Sequence, residues 1–367
     1  MNNNCLESTI DDPAKLAEAA GLKYVQDSMP GYTRKKAGKG FYYLDEKGDR
    51  LTDKEIIERC KKLVLPPAWT NVWICPFPNG HLLATGYDDL NRKQYRYHEG
   101  WNKIRNETKY HRMLEFGKFL PVIRERIEKD LSSRGLTKNK VLALVVSIME
   151  RTFIRIGNAS YEKLYGSYGL STFRDKHAKI NGSTVSFKFI GKKGKLQEIE
   201  LKNKKLAKLV KKCQDIPGYD LFQYYDEEGQ RQSIDSGSVN DYLKEMTGCD
   251  FTAKDFRTWG GSINALRAFR EIGNHDSATQ AKKNIVKAID QVSGVLGNTR
   301  TICKKYYIHP SLIEAYEDGC LMDYFKELDI IEEDENITRL TCEEELLMKI
   351  LNTLSNQSSL VKEEVVQ

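Results

Sequence analysis

The sequence predicts an α+β protein in which a small strand-rich N-terminal domain precedes a mainly helical domain that carries a three-stranded β hairpin. Up to about residue 98, short alternating segments are separated by turn-forming residues. From Trp101 onward, apolar residues recur at helical spacing, and the alternation returns between Ala178 and Leu201. We therefore divide the chain into an N-terminal domain, 1–98, a helical domain, 99–325, and an acidic C-terminal tail, 326–367.

The N-terminal domain is predicted to begin with a helix after Asp12, since Asp suits an N-cap and Pro13 suits a first turn. A basic stretch follows at residues 34–39. The remaining predicted elements are a hairpin from Phe41–Leu44 to Arg50-Leu51, a helix ending at Leu63, and strands at Asn71–Cys75, His81–Tyr87 and Asn91–His98.

The last of these strands has an informative alternation. Lys93, Tyr95 and Tyr97 fall on one face of a strand, and Gln94 falls on the other. Basic, amide and aromatic side chains together suit contact with phosphates and base edges. The alternative is a solvated edge strand whose two tyrosines pack inward.

The helical domain carries a first candidate cation at a helix end. Helices are predicted at Tyr110–Leu120, Pro121–Leu131, Lys138–Arg155, Lys204–Cys213, Ser236–Met246, Ala253–Ile272, His275–Val292 and Pro310–Gly319. Arg155 is predicted to lie in the last turn of its helix, before Gly157. A cation there also complements the helix dipole, so a purely structural role stays open.

The strands inserted among these helices are predicted to hold a lysine at their tip. Asn181-Gly182 favours a type I′ turn, and Gly191–Lys195 forms a second, basic turn that contains Lys192. The alternative is a lysine-rich solvated loop. In the helix Ala253–Ile272, Arg257 precedes the pair Gly260-Gly261, which permits close backbone approach, although an exposed arginine on a solvated face remains the alternative.

The segment Gly294–Pro310 joins a helix end to a candidate nucleophile. Asn298 follows a glycine, and Tyr307 lies nine positions later, after Lys304 and Lys305. A phenol has a pKa of about 10 and is a weak nucleophile unless neighbouring cations favour its ionisation. Attack on a phosphodiester requires such surroundings, whereas a tyrosine packed into a core does not.

Charge indicates a polyanionic partner. The net charge of +6 conceals an asymmetry, because residues 326–367 contain four basic and eleven acidic residues and the preceding 325 residues carry +13. A solvated, soluble surface explains the same numbers. If the tail competes with such a partner, its removal after Lys326 is expected to tighten non-specific binding to the polyanion and to raise the salt optimum.

Other classes are disfavoured by the sequence. No apolar run of membrane-spanning length and no secretory signal is recognised, and the eight cysteines form no Cys-x-x-Cys pair. The six histidines lie far apart in sequence. We therefore expect a reduced, cytoplasmic protein without a metal site or membrane association.

Four motifs then occur in a fixed order: Phe153–Asn158, Phe189–Lys192, Asp255–Gly260 and Leu296–Thr299 with Tyr307–Pro310. Together they closely resemble the type IB DNA topoisomerases, in the compact form of poxviruses and bacteria. The resemblance covers about residues 38–318 and includes Pro66–Ile74, Gln94–Tyr97 and Gly166–Leu170.

The resemblance implies a tyrosine recombinase/topoisomerase IB-like fold and a clamp around duplex DNA. It implies that Tyr307 attacks a backbone phosphate to give a 3′-phosphotyrosine, that Arg155 and Arg257 offset the developing charge, and that Lys192, on a mobile flap, protonates the leaving 5′-oxygen. Supercoils are released by strand rotation before religation, and neither ATP, a metal nor another cofactor is required.

Asn298 departs from the poxvirus and nuclear pattern, in which a histidine is usual. An amide donates the same hydrogen bond but carries no charge, so Asn298 is expected to contact the phosphate without acting as an acid. Tyr306 is a rival nucleophile, although the spacing from Asn298 favours Tyr307.

The resemblance also implies DNA contacts by Gln94, Tyr95 and Tyr97 in the N-terminal domain, and by Tyr161 in the helical domain. Asn158 stands where the poxvirus enzymes carry a DNA-contacting lysine. The expected partner is double-stranded DNA and the expected state is a monomer, with a nucleoid-associated location if the source is bacterial and a virion or viral factory if it is viral.

Two other classes are weighed. A site-specific tyrosine recombinase shares the Arg, Lys, Arg and Tyr chemistry, but its second arginine usually lies in a His-x-x-Arg frame, and here Lys254 precedes Arg257 by three positions. A DNA-binding protein that has lost catalysis is expected to lack one of the catalytic side chains, and here the one departure is Asn298.

Overall fold

The structure is a computed structural model that describes residues 13–38, 40–89, 91, 93–328 and 338–364. The predicted N-cap Asp12 lies outside the described residues. The chain divides into two compact units, Met1–His111 and Arg112–Gln367, and the division falls within one long helix. The predicted boundaries at 98/99 and 325/326 stay a prediction.

The N-terminal unit is built on a five-stranded antiparallel sheet of order β2-β1-β3-β4-β5. Its elements are α1 (Pro13–Ala19), β1 (Tyr32–Ala37), β2 (Gly40–Leu44), α2 (Lys54–Lys62), β3 (Thr70–Ile74), β4 (Leu82–Tyr87) and β5 (Lys93–Tyr97). Val72, Ile74 and Ala84 form a core with Tyr43 and Cys60. The predicted strands 71–75, 81–87 and 91–98 are confirmed as β3, β4 and β5.

The predicted hairpin from Phe41–Leu44 to Arg50-Leu51 is confirmed as a short antiparallel bridge, in which Leu44 faces Arg50 and the Leu51 amide donates to the Tyr43 carbonyl at 2.9 Å. The longer pairing of this strand, with β1, was not predicted. The basic stretch belongs largely to the strand β1. Its Arg34 is buried and donates hydrogen bonds of 2.8–2.9 Å to the carbonyls of Leu65, Pro66 and Trp69. A guanidinium whose donors are satisfied in this way can occupy an interior position.

The second unit is mainly helical. Its helices are α3 (Glu99–Ser132), whose first part belongs to the N-terminal unit, α4 (Lys138–Thr152), α5 (Ala159–Tyr165), α6 (Lys204–Gln214), α7 (Ser236–Thr247), α8 (Ala253–Ile272), α9 (Ala278–Leu296), α10 (Arg300–Tyr306), α11 (Pro310–Glu317), α12 (Leu321–Leu328) and α13 (Cys342–Glu364). Val141, Leu144, Val145 and Ile148 of α4 are fully buried, so this helix forms the centre of the core. Two helices predicted to meet at Pro121 are instead one, since α3 continues through that proline.

The predicted three-stranded insertion is confirmed as a sheet of order β6-β7-β8, formed by β6 (Ala178–Asn181), β7 (Thr184–Ile190) and β8 (Leu196–Lys202). Gly182 has a φ of 59°, as the predicted Asn-Gly turn requires. A two-stranded ribbon of β9 (Gln223–Tyr225) and β10 (Arg231–Ser233) lies further along the chain. Lys192 lies two residues beyond the end of β7, in the β7–β8 turn.

The acidic and then polar composition from Asp329 on predicts a poorly ordered or loosely docked segment, and this prediction is wrong for the first turns of α13. Leu346, Leu347, Ile350 and Leu351 are buried in the main core. Residues 329–337 lie outside the described part of the chain. No helix among the described residues is both long enough and apolar enough to cross a membrane.

Candidate active site

Tyr307 lies at the end of α10, where the backbone leaves the helix. The basic segment between the turn at Gly297-Asn298 and Tyr307 forms this short helix, and the Tyr307 amide donates to the carbonyl of Cys303 at 3.0 Å. The Ser262 hydroxyl of α8 donates to the Tyr307 carbonyl at 3.4 Å and accepts from the amide of His309 at 3.0 Å. The tyrosine backbone is therefore held against the middle of α8.

The pair Gly260-Gly261 makes this close approach feasible. A Cβ added at Gly261 would lie 2.9 Å from the Cβ of Tyr307, and one added at Gly260 would overlap the Phe153 ring. Contacts that short require one of the two groups to move. The predicted role of the glycines in close backbone approach is confirmed, and it serves the tyrosine and the segment that follows α4.

Arg257 extends from α8 into the site, and its side chain is 4% exposed. One guanidinium nitrogen donates to the Phe153 carbonyl, and another donates to the Leu296 carbonyl at 2.8 Å. The guanidinium carbon lies 5.2 Å from the centre of the Tyr307 ring. The alternative of a solvated surface arginine is therefore excluded for this residue.

Arg155 lies three residues beyond the end of α4, so the prediction that it occupies the last helical turn is wrong. The helix ends at Thr152 because Phe153 adopts a left-handed conformation with a φ of 54°. The Arg155 guanidinium donates to the side-chain oxygen of Asn298. Burial, together with the positive charge of Arg257, lowers its pKa to about 10.

Asn298 presents an amide donor that has no protein partner. It follows the C-cap Gly297, whose φ is 58°, and its backbone amide donates to the Ser293 carbonyl at 3.1 Å. Because its side-chain oxygen accepts from Arg155, its NH₂ group faces the other way. Four buried side-chain polar atoms lack a hydrogen-bond partner among the described residues, and two of them are Asn298 Nδ2 and Arg257 Nε.

Lys192 lies in an exposed turn whose next residue, Lys193, adopts a φ of 65°. A small pocket is lined by Lys192, Arg155 and Arg257, together with residues from both ends of the β7–β8 turn. Desolvation and the positive charge of Arg155 lower the pKa of Lys192. A lysine with a lowered pKa gives up its proton more readily near neutral pH.

The cations also decide the titration of Tyr307. Burial by itself raises the pKa of a phenol, but Arg257 opposes it through its charge and a hydrogen bond, and Arg155 and Lys254 add their charges. The net effect is that the pKa of Tyr307 is lowered. The structure thus brings together all five of the predicted catalytic residues: Arg155, Lys192, Arg257, Asn298 and Tyr307.

The residues predicted to contact DNA from the N-terminal unit lie on β5. Tyr95 and Tyr97 share one face, as predicted, and their rings stack at 5.9 Å between centres. Tyr95 is 49% exposed, whereas Tyr97 is half-buried. Gln94 donates to the Asp88 carboxylate at 3.0 Å.

The two predicted contacts in the helical unit lie at α5. Asn158 is the N-cap of that helix, and its side chain accepts from the amide of Ser160 at 2.8 Å. Tyr161 is 56% exposed in the first turn of the helix. Its ring lies 5.8 Å from that of Tyr165, so the surface here is aromatic.

Two neighbours of the site were not predicted from the sequence. Lys254 lies one helical turn before Arg257, and its charge helps to lower the pKa of Tyr307. The spacing of three residues was a usable signal, because it places the two side chains on the same face of a helix. Gln197 of β8 approaches the turn at Gly297, since a Cβ there would lie 2.6 Å from its side-chain oxygen. No local sequence signal indicates this second contact.

The arrangement is suited to one class of reaction, the attack of a tyrosine on a phosphodiester. It offers a phenol with a lowered pKa, one buried and one partly buried guanidinium group, an amide donor and a lysine. The described residues contain no group of three His, Cys, Asp or Glu side chains that could hold a metal ion. Proteins of this class cut and rejoin nucleic acid strands through a covalent tyrosine link.

Comparison with known proteins identifies the family within that class. Residues 98–332 match the family model for the catalytic core of eukaryotic DNA topoisomerase I, and residues 40–88 match that for the N-terminal domain of bacterial DNA topoisomerase IB. The chain belongs to the type IB DNA topoisomerase family and is an enzyme of this type. The topoisomerase interpretation is therefore favoured over the recombinase alternative.

Individual relatives agree with this assignment. The chain is 33% identical over 299 residues to DNA topoisomerase 1B of Acanthamoeba polyphaga mimivirus. The aligned region covers 79% of this chain and 89% of the relative. It is 25% identical over 244 residues to DNA topoisomerase 1B of Vaccinia virus (strain Copenhagen) and to DNA topoisomerase I of Monkeypox virus. In both cases the aligned region covers 66% of this chain and 74% of the relative.

Proposed function

We propose that the protein relaxes supercoiled duplex DNA by cutting one strand through Tyr307 and rejoining it, without ATP or an obligatory metal ion. The phenolate oxygen of Tyr307 bonds to a backbone phosphorus, and the bond from phosphorus to the 5′-oxygen breaks. The product is a 3′-phosphotyrosine and a free 5′-hydroxyl. The broken strand rotates, and the 5′-hydroxyl then attacks the phosphotyrosine and releases the phenol.

The cationic side chains have distinct roles in this reaction. Charge builds up on the non-bridging phosphate oxygens during attack, and Arg155 and Arg257 offset it. Lys192 donates its proton to the departing 5′-oxygen and recovers it on religation. Because the phosphotyrosine preserves the energy of the phosphodiester, no nucleotide hydrolysis is needed.

One observation carries the proposal: the unpartnered donors Arg257 Nε and Asn298 Nδ2 belong to the same cluster as Tyr307. Buried donors normally have partners, and each one left without a partner costs about 1–3 kcal/mol. A phosphate oxygen is an acceptor that satisfies such donors. Asn298 therefore acts as a neutral donor to the phosphate and not as an acid.

The β7–β8 turn acts as a flap that brings Lys192 to the leaving oxygen. Its exposed tip and the left-handed residue Lys193 support this role. The fold of the second unit is accordingly of the tyrosine recombinase/topoisomerase IB kind. The N-terminal unit serves as the DNA-clamp domain.

Contacts to DNA outside the reacting phosphate come from two places. Gln94, Tyr95 and Tyr97 contact it from β5, and Asn158 and Tyr161 from the start of α5. The exposed rings of Tyr95 and Tyr161 support these assignments. The protein acts on double-stranded DNA as a monomer, in the compartment that holds that DNA: the cytoplasm, with the nucleoid in a bacterium or the virion or viral factory of a virus.

The test is relaxation of negatively supercoiled plasmid in EDTA without ATP. Wild-type protein and Tyr306→Phe are expected to relax the plasmid, and Tyr307→Phe is expected to lose relaxation while keeping DNA binding. Tyr306→Phe is the matched control because it removes a phenolic hydroxyl from the adjacent position. Relaxation by Tyr307→Phe would show that the nucleophile is wrongly assigned. Binding without relaxation by the wild type would favour a recombinase or an inactive binder.

A further inference from the structure

Beyond the residues that match the family models, α13 carries a carboxylate that is buried in the core. Glu344 is 6% exposed, and it accepts from Arg124 of α3 at 2.8 and 2.9 Å. It also accepts from the indole N–H of Trp259 at 3.0 Å. The family match for the catalytic core ends at residue 332, so this helix lies outside it.

The same carboxylate closes the N-terminus of its own helix. Glu344 accepts from the amide of Thr341 at 3.0 Å, and its own amide donates to the Thr341 hydroxyl at 3.3 Å. This reciprocal pair is a capping box of the Thr-x-x-Glu type, which fixes where the helix begins. The position of Glu344 is therefore set locally as well as by its buried partners.

This network is connected to both phosphate-binding arginines. Trp259 lies two residues after Arg257 on α8. Arg124 also donates to Glu150 at 2.7 Å, in the last turn of α4, five residues before Arg155. Arg124 thus bridges Glu150 of α4 and Glu344 of α13, and Glu344 in turn reaches Trp259 of α8.

Packing reinforces the same junction. A Cβ added at Gly117 of α3 would lie 2.6 Å from the Trp259 ring and would also meet the sulfur of Met348 on α13. The three helices therefore meet with little free space. Because Trp259 is buried and tightly packed, a displacement of its side chain also shifts the backbone of α8.

We propose that Glu344 is a positioning residue for strand cleavage, which holds Arg257 and Arg155 at the reacting phosphate through Trp259 and through Arg124 with Glu150. The inference rests on the proposed function. It makes α13 a part of the catalytic unit and not an acidic appendage. The neighbour Glu343 is only partly exposed and pairs with Arg267 of α8 at 3.1 Å. Arg267 lies ten residues beyond Arg257, and none of the described contacts of Glu343 is with Trp259 or Arg124.

The experiment compares Glu344→Gln with the matched control Glu343→Gln, which removes the same charge one position away. The readout is the single-turnover rate of covalent complex formation on a short duplex, measured well below the melting temperature of each variant. We expect Glu344→Gln to cleave about 10- to 100-fold more slowly, because small misplacements of catalytic groups have effects of that size. DNA affinity, measured with Tyr307→Phe in each background, is expected to change less than about twofold, and Glu343→Gln is expected to match the wild type.

A pH profile separates positioning from stability. The charged groups facing Tyr307 are Arg257 and Lys254 from α8, Arg155 from the segment after α4, and Lys192 from the hairpin. If the arginines retreat in Glu344→Gln, the phenol ionises less readily and the rise of the cleavage rate moves to higher pH. A variant that is merely less stable keeps the wild-type midpoint.

Arg124→Lys is the second variant, which keeps a cation beside Glu344 but loses the fork that also reaches Glu150. It is expected to slow cleavage in the same direction, and it decides the question if Glu344→Gln fails to fold. Wild-type rates and midpoints in the folded variants would overturn the inference alone. Absence of a covalent complex in wild type and Glu343→Gln alike would overturn the proposed function and this inference with it.

Discussion

At the scale of single residues, Arg124, Arg155 and Arg257 show two ways of holding an arginine that is at least partly buried. Arg124 is neutralised by two carboxylates, Glu150 and Glu344. Arg155 and Arg257 instead donate to amide and carbonyl oxygens, so they keep an uncompensated positive charge beside Tyr307. Holding two positive charges away from water without a neighbouring carboxylate costs free energy, and the negative charge of a bound phosphate offsets this cost.

The lowered pKa of Lys192 leads to a prediction about the leaving group. Lys192→Ala is expected to slow cleavage about 10²- to 10⁴-fold, because the 5′-oxygen then departs without a proton. On a substrate with sulfur in place of that bridging oxygen, the leaving thiolate needs no proton, so the variant is expected to approach the wild-type rate. Single-turnover cleavage of the two substrates measures the difference.

Tyr307→Phe is the control, since it is expected to cleave neither substrate. An equal defect of Lys192→Ala on both substrates would assign Lys192 to phosphate binding instead of proton donation.

At the scale of elements, the contact between α8 and Tyr307 depends on glycine. Gly261→Ala is expected to displace the tyrosine, since the new Cβ would lie 2.9 Å from the Tyr307 Cβ, and to slow cleavage about 10²-fold. Gly294→Ala in α9 is the matched control, because a Cβ there meets nothing within 4 Å. It is expected to keep full activity and to add about 0.5–1 kcal/mol of stability. Cleavage rates and thermal melting of both variants check this, and a fully active Gly261→Ala would contradict it.

The capping of α13 makes stability depend on pH. Burial raises the pKa of Glu344, but Arg124, Thr341 and Trp259 outweigh it, so the pKa is lowered. A lowered carboxyl pKa contributes stability above the unfolded value of about 4.3, and this contribution is lost as pH falls through the folded value. The difference in melting temperature between wild type and Glu344→Gln is therefore expected to be large at neutral pH. It is expected to shrink as the pH falls below about 4.3 and through the folded-state pKa of Glu344. A difference independent of pH would contradict it.

Several elements were recognisable from sequence because their signals are local. The turn at Asn181-Gly182 and the helices from Ala253 and from Lys204 are all confirmed. The strand β1 was not recognised, since its buried Arg34 breaks the apolar alternation and is satisfied by carbonyls about thirty residues away. The end of α4 was misplaced because Phe153, a bulky residue, adopts the left-handed conformation that usually signals glycine.

At the scale of the whole molecule, charge and packing cannot be separated by truncation. Removal of the chain after Lys326 was expected to tighten non-specific DNA binding. The structure corrects the design of that test, because the same deletion removes Glu344 and the buried side chains of Leu346, Leu347 and Ile350. Such a loss is expected to destabilise the catalytic unit by several kcal/mol.

Charge alone is tested at the acidic run of residues 332–335, which lies outside the described residues. Replacement of Glu332, Glu333 and Glu335 by Gln and of Asp334 by Asn is expected to tighten DNA binding at low salt and to leave it unchanged near 1 M salt, where the Debye length is about 3 Å. Fluorescence anisotropy of a labelled duplex, with Tyr307→Phe in both backgrounds, checks this. Equal affinities at low salt would show that the run does not compete with DNA.

The sequence by itself determined the family, the strand-rich and helical halves, and the five residues of the candidate site, because these depend on side-chain type, local periodicity and the order of short motifs. Only the tertiary structure decided that Arg155 donates to Asn298, that Gly261 lies against Tyr307, and that Glu344 reaches Trp259. Those contacts join residues 143, 46 and 85 positions apart. No local pattern encodes them, since they arise only when helices distant in sequence pack together and bury their polar groups against one another.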